Sequence, residues 1–244
     1  MKKLFLIVLI IFLILCVMAS IFYITERNKS ARLCDYIASD NTEDALALIP
    51  SMYDVNIYTA LPSLSRLCVI FGGDIKLPLV EACRYGNYEI ASALLQHGAD
   101  PNKYLEGYFS PIEALFIHKP NESRLNICKL LVEYGADVNL NGSGEAALIE
   151  AVRNTMYTPS SSDIPVLEEV IVLLIDNNAT PYDEKGNSII HYLAFLGDVG
   201  LLNKISVRYD LQLDHANNQG QIPLDWAKSD EMIAYLQKET CTKE

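Results

Sequence analysis

Hydrophobic positions along the chain fall into two regimes. From Leu4 to Ile24 the run LFLIVLIIFLILCVMASIFYI has no charged residue. At about 1.5 Å per residue it reaches roughly 31 Å, the thickness of a bilayer's hydrocarbon core, and predicts one membrane-spanning helix. Beyond it the apolar residues come in short clusters divided by polar turns. Leu94/Leu95, Leu130/Leu131 and Leu173/Leu174 each precede a turn-forming segment: QHGADPN (Gln96–Asn102), EYGADVN (Glu133–Asn139) and DNNATPY (Asp176–Tyr182). Upstream lies a second recurring element, read as LPLVEA from Leu77, SPIEAL from Ser110, AALIEA from Ala146, SIIHYL from Ser188 and IPLDWA from Ile222. Its second positions, Pro78, Pro111, Ala147, Ile189 and Pro223, lie 33, 36, 42 and 34 residues apart. Recurrence at that spacing predicts helix pairs that bury their apolar faces against one another in an array.

The residue types suit that geometry. Proline in a first helical turn has its φ already set and lacks only an N–H that would be unpaired there. Leu79, Ile112, Leu148, Ile190 and Leu224 follow as inward knobs, and Ala82, Ala151 and Ala227 let helices approach closely. Gly98 and Gly135 fall where a second helix must end in a left-handed residue, with Asn178 in the third copy. DVNLNGSG and YDEKGN have the Asn, Asp and Gly content of tight turns.

On these residues the chain resembles the ankyrin-repeat family, whose unit of about 33 residues opens its first helix with T-P-L-H-x-A. The resemblance implies an all-α solenoid of about six helix-turn-helix units with short β-hairpin connections, preceded by the transmembrane helix. The expected division is a signal anchor at 1–29 and repeats at 30–61, 75–107, 108–143, 144–185, 186–219 and 220–244. Ser30–Ile49 aligns with the second repeat at an offset of 46, with Asn41 under Asn87, Glu43 under Glu89 and Ala45 under Ala91. It reads as a degenerate capping repeat, as expected where one face meets water. The connection PSLSRLCVIFGGDIK is expected to fold onto the stack, and Ser229 or Asp230 to cap the last helix. HKPNES and RNTMYTPSSSDIP lengthen the third and fourth repeats and are expected as exposed loops.

Charge narrows the partner. All 31 acidic residues but Glu26 follow residue 30, whereas Lys2, Lys3, Arg27 and Lys29 of the 19 basic ones precede it, leaving the repeats at −15. Nucleic acid, held by Lys and Arg on phosphates, is excluded as a partner class. A protein with a basic or mixed-charge surface fits the field better. The resemblance implies that hairpin tips and first-helix surfaces line a concave binding face. Carried onto this chain, that face comprises Arg84 and Tyr85 at a helix end and Lys103, Tyr104 and Tyr108 at the first tip. Leu140 and Asn141, then Tyr182, Asp183 and Lys185, then Asn217 and Asn218 supply the later tips. Tyrosine suits such a role because it is a rigid ring with a polar end.

Catalytic signals are absent from the sequence. The histidines show no H-E-x-x-H spacing, no G-x-S-x-G occurs, and Gly72–Gly73 lacks the lysine of a phosphate loop. No cofactor or metal is expected, nor an enzyme, although scattered polar residues could converge in a repeat-scaffolded one. The resemblance gives His191 a bond tying adjacent repeats. Without a CxxC pair a zinc site is not indicated; Cys83 and Cys128 fit buried helix positions, and a Cys34–Cys68 disulfide is one option.

The leader admits an uncleaved anchor, a signal peptide cut after Ala19, or acylation at Cys16, which Leu15 in place of a small residue disfavours. The anchor accounts for the full apolar length. Lys2 and Lys3 face Arg27, Lys29 and Arg32 across it, so charge alone leaves orientation open. The expectation is an inner-membrane protein with a periplasmic repeat domain that binds, and in a narrower version sequesters, a protein partner. A secreted effector released by cleavage is the alternative.

Overall fold

The computed structural model describes residues 2–59, 75–140, 142, 146–156 and 163–241. The first helix, α1 (Lys2–Ala38), is unbroken from the apolar run into the repeats, with no interruption at the boundary expected between residues 29 and 30. Its last turns pair with α2 (Thr42–Leu48), which is followed by a 3-10 turn, Ile49–Ser51. The next pairs are α3 (Pro78–Tyr85) with α4 (Tyr88–Gln96), and α5 (Pro111–Leu115) with α6 (Glu122–Glu133). Then come α7 (Ala147–Met156) with α8 (Asp163–Asp176), α9 (Ile189–Leu196) with α10 (Val199–Arg208), and α11 (Pro223–Trp226) with α12 (Asp230–Cys241).

Two layers result. The end of α1 packs on α3, and α3, α5, α7, α9 and α11 then pack in succession as an inner layer; α2, α4, α6, α8, α10 and α12 form the outer one. Ile90, Leu94, Ile112, Phe116, Leu125, Leu131, Leu148, Ile171 and Leu193 are among the fully covered side chains of one continuous core. Leu224 is only partly covered, as befits a terminal repeat with no neighbour beyond it. Fully burying each such side chain is worth about 1.5–3 kcal/mol, which is why five-residue α5 is helical at all.

Local chemistry fixes the helix ends. Asn41, Asn87, Asn121 and Asp198 accept from the N–H groups of Asp44, Ile90, Arg124 and Leu201, satisfying donors that a helix start leaves orphaned. Ser229 does the same for Met232 at 3.2 Å. Gly98, Gly135 and Asn178 adopt φ of +84°, +82° and +67° past the second helices, as their spacing predicts.

The expected β-hairpins are replaced by turns. Among the described residues the only bridge is Tyr182 with Ser188. The cause is local: Asp54, Asp100 and Asp137 accept the N–H of Asn56, Asn102 and Asn139 two residues on, at 2.8, 2.8 and 2.9 Å, taking donors a strand ladder would need.

The described parts of the two insertions carry helix and contacts where loops were expected. In HKPNES, Pro120 is buried, Asn121 caps α6, and Lys119 reaches Asp163 at 3.2 Å. Pro120 disfavours helix in the residue before it, which accounts for the break between α5 and α6. In RNTMYTPSSSDIP, residues 153–156 continue α7, with Thr155 and Met156 buried, and Asp163 opens α8; residues 157–162 lie outside the described residues. So does most of PSLSRLCVIFGGDIK, with Cys68. Cys34, Cys83 and Cys128 are buried free thiols; burial pushes all three upward, Cys128 to about 12, so none is a thiolate at neutral pH.

Candidate partner-binding groove

Successive turns are stitched together by asparagine. Asn56 donates to the Gly98 carbonyl at 2.9 Å and accepts from Asp100 N–H at 2.7 Å. Asn102 does the same with Gly135 (3.0 Å) and Asp137 (2.7 Å), and Asn139 with Asn178 (2.8 Å) and Thr180 (2.8 Å). A primary amide supplies one acceptor and a donor side by side, matching a carbonyl and an N–H two residues apart. The first member was hidden in the capping repeat: D-V-N at 54–56 lies under Asp100–Asn102 at the same offset of 46.

The third residue of the inner helices makes a second tie. Glu113, His191 and Asp225 each accept the N–H of their own capping residue, Ser110 (2.7 Å), Ser188 (3.1 Å) and Ile222 (2.8 Å). Glu113 also accepts from Gly142 N–H in the next turn at 2.9 Å. His191, fully buried, meets the Gln221 carbonyl through Nε2 at 3.0 Å. Because Nδ1 accepts from Ser188, the proton sits on Nε2, so the ring is neutral. The inter-repeat bond implied for His191 is present.

Burial holds the His191 imidazole below its ordinary 6.5, with His215 adding to that effect while bonds to Gln221 and Ser188 and the Asp183 charge oppose it. The unfolded chain therefore binds this proton more readily than the folded one, and the stability contributed by neutral His191 is present above about pH 6.5 and lost as pH falls toward the depressed value. Thermal unfolding of the full chain in detergent at pH 7.5 and 5.5 will show a larger drop for the parent than for His191→Gln, whose amide does not titrate. Equal drops would contradict this.

Where inner helices and turns meet in the last three repeats, they enclose a pocket of about 290 Å³ lined by Arg153, Met156, Lys185, Asn187, Tyr192, Asn217, Gln219, Gln221 and Trp226. Its floor is rigid. Asp183 accepts Tyr192 Oη at 2.7 Å, Asn187 Nδ2 at 2.7 Å, and the N–H groups of Lys185 and Asn187 at 2.9 and 2.8 Å. Burial alone would raise that carboxyl; these bonds outweigh it and hold it below the usual range. Asn217 bonds Asn187 at 2.6 Å and Gln221 at 3.1 Å, and Trp226 stands edge-on to His191 and Tyr192 at 5.5 and 5.3 Å. Lys185 is exposed and forms no ion pair among the described residues.

The structure sorts the candidate residues into groups. Lys185 and Asn217 line the pocket, and Tyr182, 38% exposed, lies beside it with its ring 4.9 Å from His215. Asp183 and Asn217 are consumed in holding the turns, and Asn218 bonds the preceding turn through Lys185 and Glu184 carbonyls. Lys103 lies over the Tyr58 ring at 5.3 Å, and Tyr58 Oη donates to the Tyr104 carbonyl at 3.0 Å. The Tyr104 ring and the Tyr108 carbonyl crowd Gly142 so closely that a Cβ there would meet that oxygen at 2.2 Å. Leu140 packs against the core instead of standing free, and Asn141 lies outside the described residues. Arg84 and Tyr85 sit at the far end of α3, about 10 Å along the helix from its turn-side start, and do not join the tips. Arg153, Gln221, Tyr192 and Trp226 were missed; the proximity of Trp226 to the histidine position of the previous repeat was the available signal.

On the outer layer a wider depression of about 660 Å³ is lined by Pro165, Val172, Leu173 and charged residues; there Lys129 pairs with Glu169 (3.2 Å) and Arg208 with Asp176 (3.0 Å), as Arg153 of the smaller pocket pairs with Glu150. Among the described residues no group of three or more His, Cys, Asp or Glu could hold a metal ion.

Residues 74–103 match the family model described as ankyrin repeat. A segment of 104 residues is 36% identical to a Rickettsia felis protein described as an ankyrin repeat protein, covering 42% of this chain and 42% of that one. The chain thus spans less than half the length of this curated relative. These matches identify an ankyrin repeat at residues 74–103, within a chain whose described residues are all-α with one long apolar N-terminal helix. Ankyrin repeats are typically non-enzymatic modules for binding other proteins.

Proposed function

We propose that the chain is a membrane-tethered binding module that docks a protein of mixed charge in the groove between inner helices and turns of its last three repeats. The observation that carries this is the pocket lined by exposed Lys185, by Arg153, which also pairs with Glu150, and by Tyr192 and Trp226 on a hydrogen-bonded floor. Aromatic and arginine side chains in a preorganised hollow are the usual makings of an interface hot spot. The net charge of the repeats favours cationic patches on the partner, whereas this pocket favours an acidic side chain at its centre.

Leu6–Ala38 holds a stretch long and apolar enough to cross a bilayer, as an anchor or a signal sequence would; one contact supports the uncleaved form. A cut after Ala19 would fall mid-helix, three residues before Phe22, whose ring packs on Tyr53 at 5.3 Å. In this reading residues 4–24 span a bacterial inner membrane, the repeats are periplasmic, and the anchor confines the partner to the membrane surface.

A photo-crosslinking side chain at Lys185 in the membrane-embedded full chain will give a discrete protein adduct. The same group at Tyr134, 44% exposed, on the outer layer will not. No adduct at Lys185, or equal adducts at both, refutes the groove reading. Release of the repeats from membranes with a new N-terminus at Ser20 would favour a secreted effector.

A further inference from the structure

The apolar segment and the repeat stack share one helix. The last turns of α1 are the first inner-layer helix, packed on α3. Between them, Glu26 is 2% exposed and accepts Tyr53 N–H at 2.7 Å and Lys29 Nζ at 2.8 Å. Lys29 donates also to the Ser51 carbonyl at 2.5 Å, and Ser30 Oγ to that of Ile57 at 2.7 Å. The first turn, residues 51–57, thus grips α1 immediately past the apolar run. No flexible linker separates span from stack, so the direction of one dictates the direction of the other.

That direction can be read. The 46-residue offset sets Arg32 level with Pro78, the first residue of α3. Ile24, where the apolar run ends, lies eight residues earlier, about 12 Å beyond the start of the inner helices. The turns project from that same end, since each leads into the next inner helix. Tyr53 in the first turn is 81% exposed, more than any other large hydrophobic residue described, and touches Phe22 inside the apolar run. Tyrosine, with an apolar ring and a polar tip, is enriched where hydrocarbon meets headgroups.

We infer that the stack is held edge-on to the bilayer with its turns toward the lipid, and that Tyr53 is seated in the membrane interface beside Phe22. This rests on residues 4–24 spanning the membrane. The occupant of the exposed Tyr53 surface is the lipid interface, because its one aromatic neighbour among the described residues belongs to the segment that lipid surrounds. The partner groove then opens close to the membrane surface, at the same edge as the turns.

The test uses the full chain in phosphatidylcholine vesicles, with its one tryptophan, Trp226, replaced by phenylalanine. A Tyr53→Trp reporter will emit blue-shifted light and lose at least about half its intensity when the lipids are brominated near the headgroup end of their acyl chains. A Tyr85→Trp reporter, at the opposite end of α3, will keep its intensity. A Gly-Ser linker inserted between Thr25 and Glu26 will abolish the difference while the chain still floats with the vesicles. Water-like, unquenched emission from the Tyr53→Trp reporter in a chain that co-floats overturns the inference alone, as does quenching that survives the linker. A chain that does not co-float overturns the membrane span and the inference together.

Discussion

Replacing Arg124 by alanine will destabilise the folded chain by about 3–4 kcal/mol, far more than a typical surface substitution. Arg124 is 6% exposed and bridges two helix ends: its guanidinium donates to the carbonyls of Leu115 at 2.6 Å, Arg84 at 2.8 Å and Cys83 at 3.3 Å. Those carbonyls belong to the last turns of α3 and α5, where intrahelical donors run out and the helix dipole is negative, although that of Cys83 also accepts the Gly86 N–H at 3.1 Å. Burial draws the guanidinium down from its ordinary value, yet a group titrating this high stays charged at neutral pH. Its removal takes donors from acceptors at the junction of the second and third repeats and uncovers Gly86, where an added Cβ would meet Arg124 Cγ at 3.6 Å. Arg124→Met, which keeps the stem and loses the donors, will recover only the packing share. Arg124→Lys, with a point charge in place of a planar fork, will fall between parent and methionine. Urea unfolding of the detergent-solubilised chain ranks the three; a methionine variant as stable as the parent would show that the carbonyls need no partner.

This residue also shows where the sequence was informative and where it was not. Helix starts, the left-handed exits at Gly98, Gly135 and Asn178, and the inter-repeat role of His191 depend on residues within one unit and its copies, so periodicity exposes them. Arg124 sits in a lengthened repeat and has no counterpart in the other units, so no recurrence marks it, and an arginine early in a helix reads as a solvated face. The continuous α1 was obscured for the opposite reason: composition changes sharply at Thr25, while backbone conformation does not, because charged residues such as Glu26, Arg27 and Lys29 propagate a helix as well as apolar ones. The groove was only half legible. Lys185 and Asn217 were found through the turns, but Arg153 and Trp226 come from an inner helix of the fourth repeat and the short helix of the sixth, and only superhelical packing brings them together. Asp183 and Leu140 looked like free tips because a turn sequence does not reveal which of its side chains fold back on it.

Phe116→Ala will cost about 3–5 kcal/mol and will change the form of unfolding as well as its midpoint. Phe116 heads the largest fully buried side chains described and closes α5, whose five residues are too few to persist without packing. Its backbone carbonyl is held by Asn154 Nδ2 of α7 at 2.7 Å, so the residue faces the fourth repeat as well as its own. Removing the ring opens a cavity at the middle of the inner layer, between the repeats nearest α1 and those that line the pocket. In a solenoid each unit is stabilised chiefly by its neighbours, so weakening one central interface uncouples the two ends. The expected result is two transitions in denaturant where the parent shows one, with amide exchange in α9 and α10 no longer moving together with that in α3 and α4. Phe116→Leu, which leaves most of the volume, will restore a single transition at a smaller loss of about 1 kcal/mol. An alanine variant that unfolds in one step at the parental midpoint would mean the inner layer does not transmit stability through α5, and the continuous stack that supports the groove would have to be redrawn as two independent blocks.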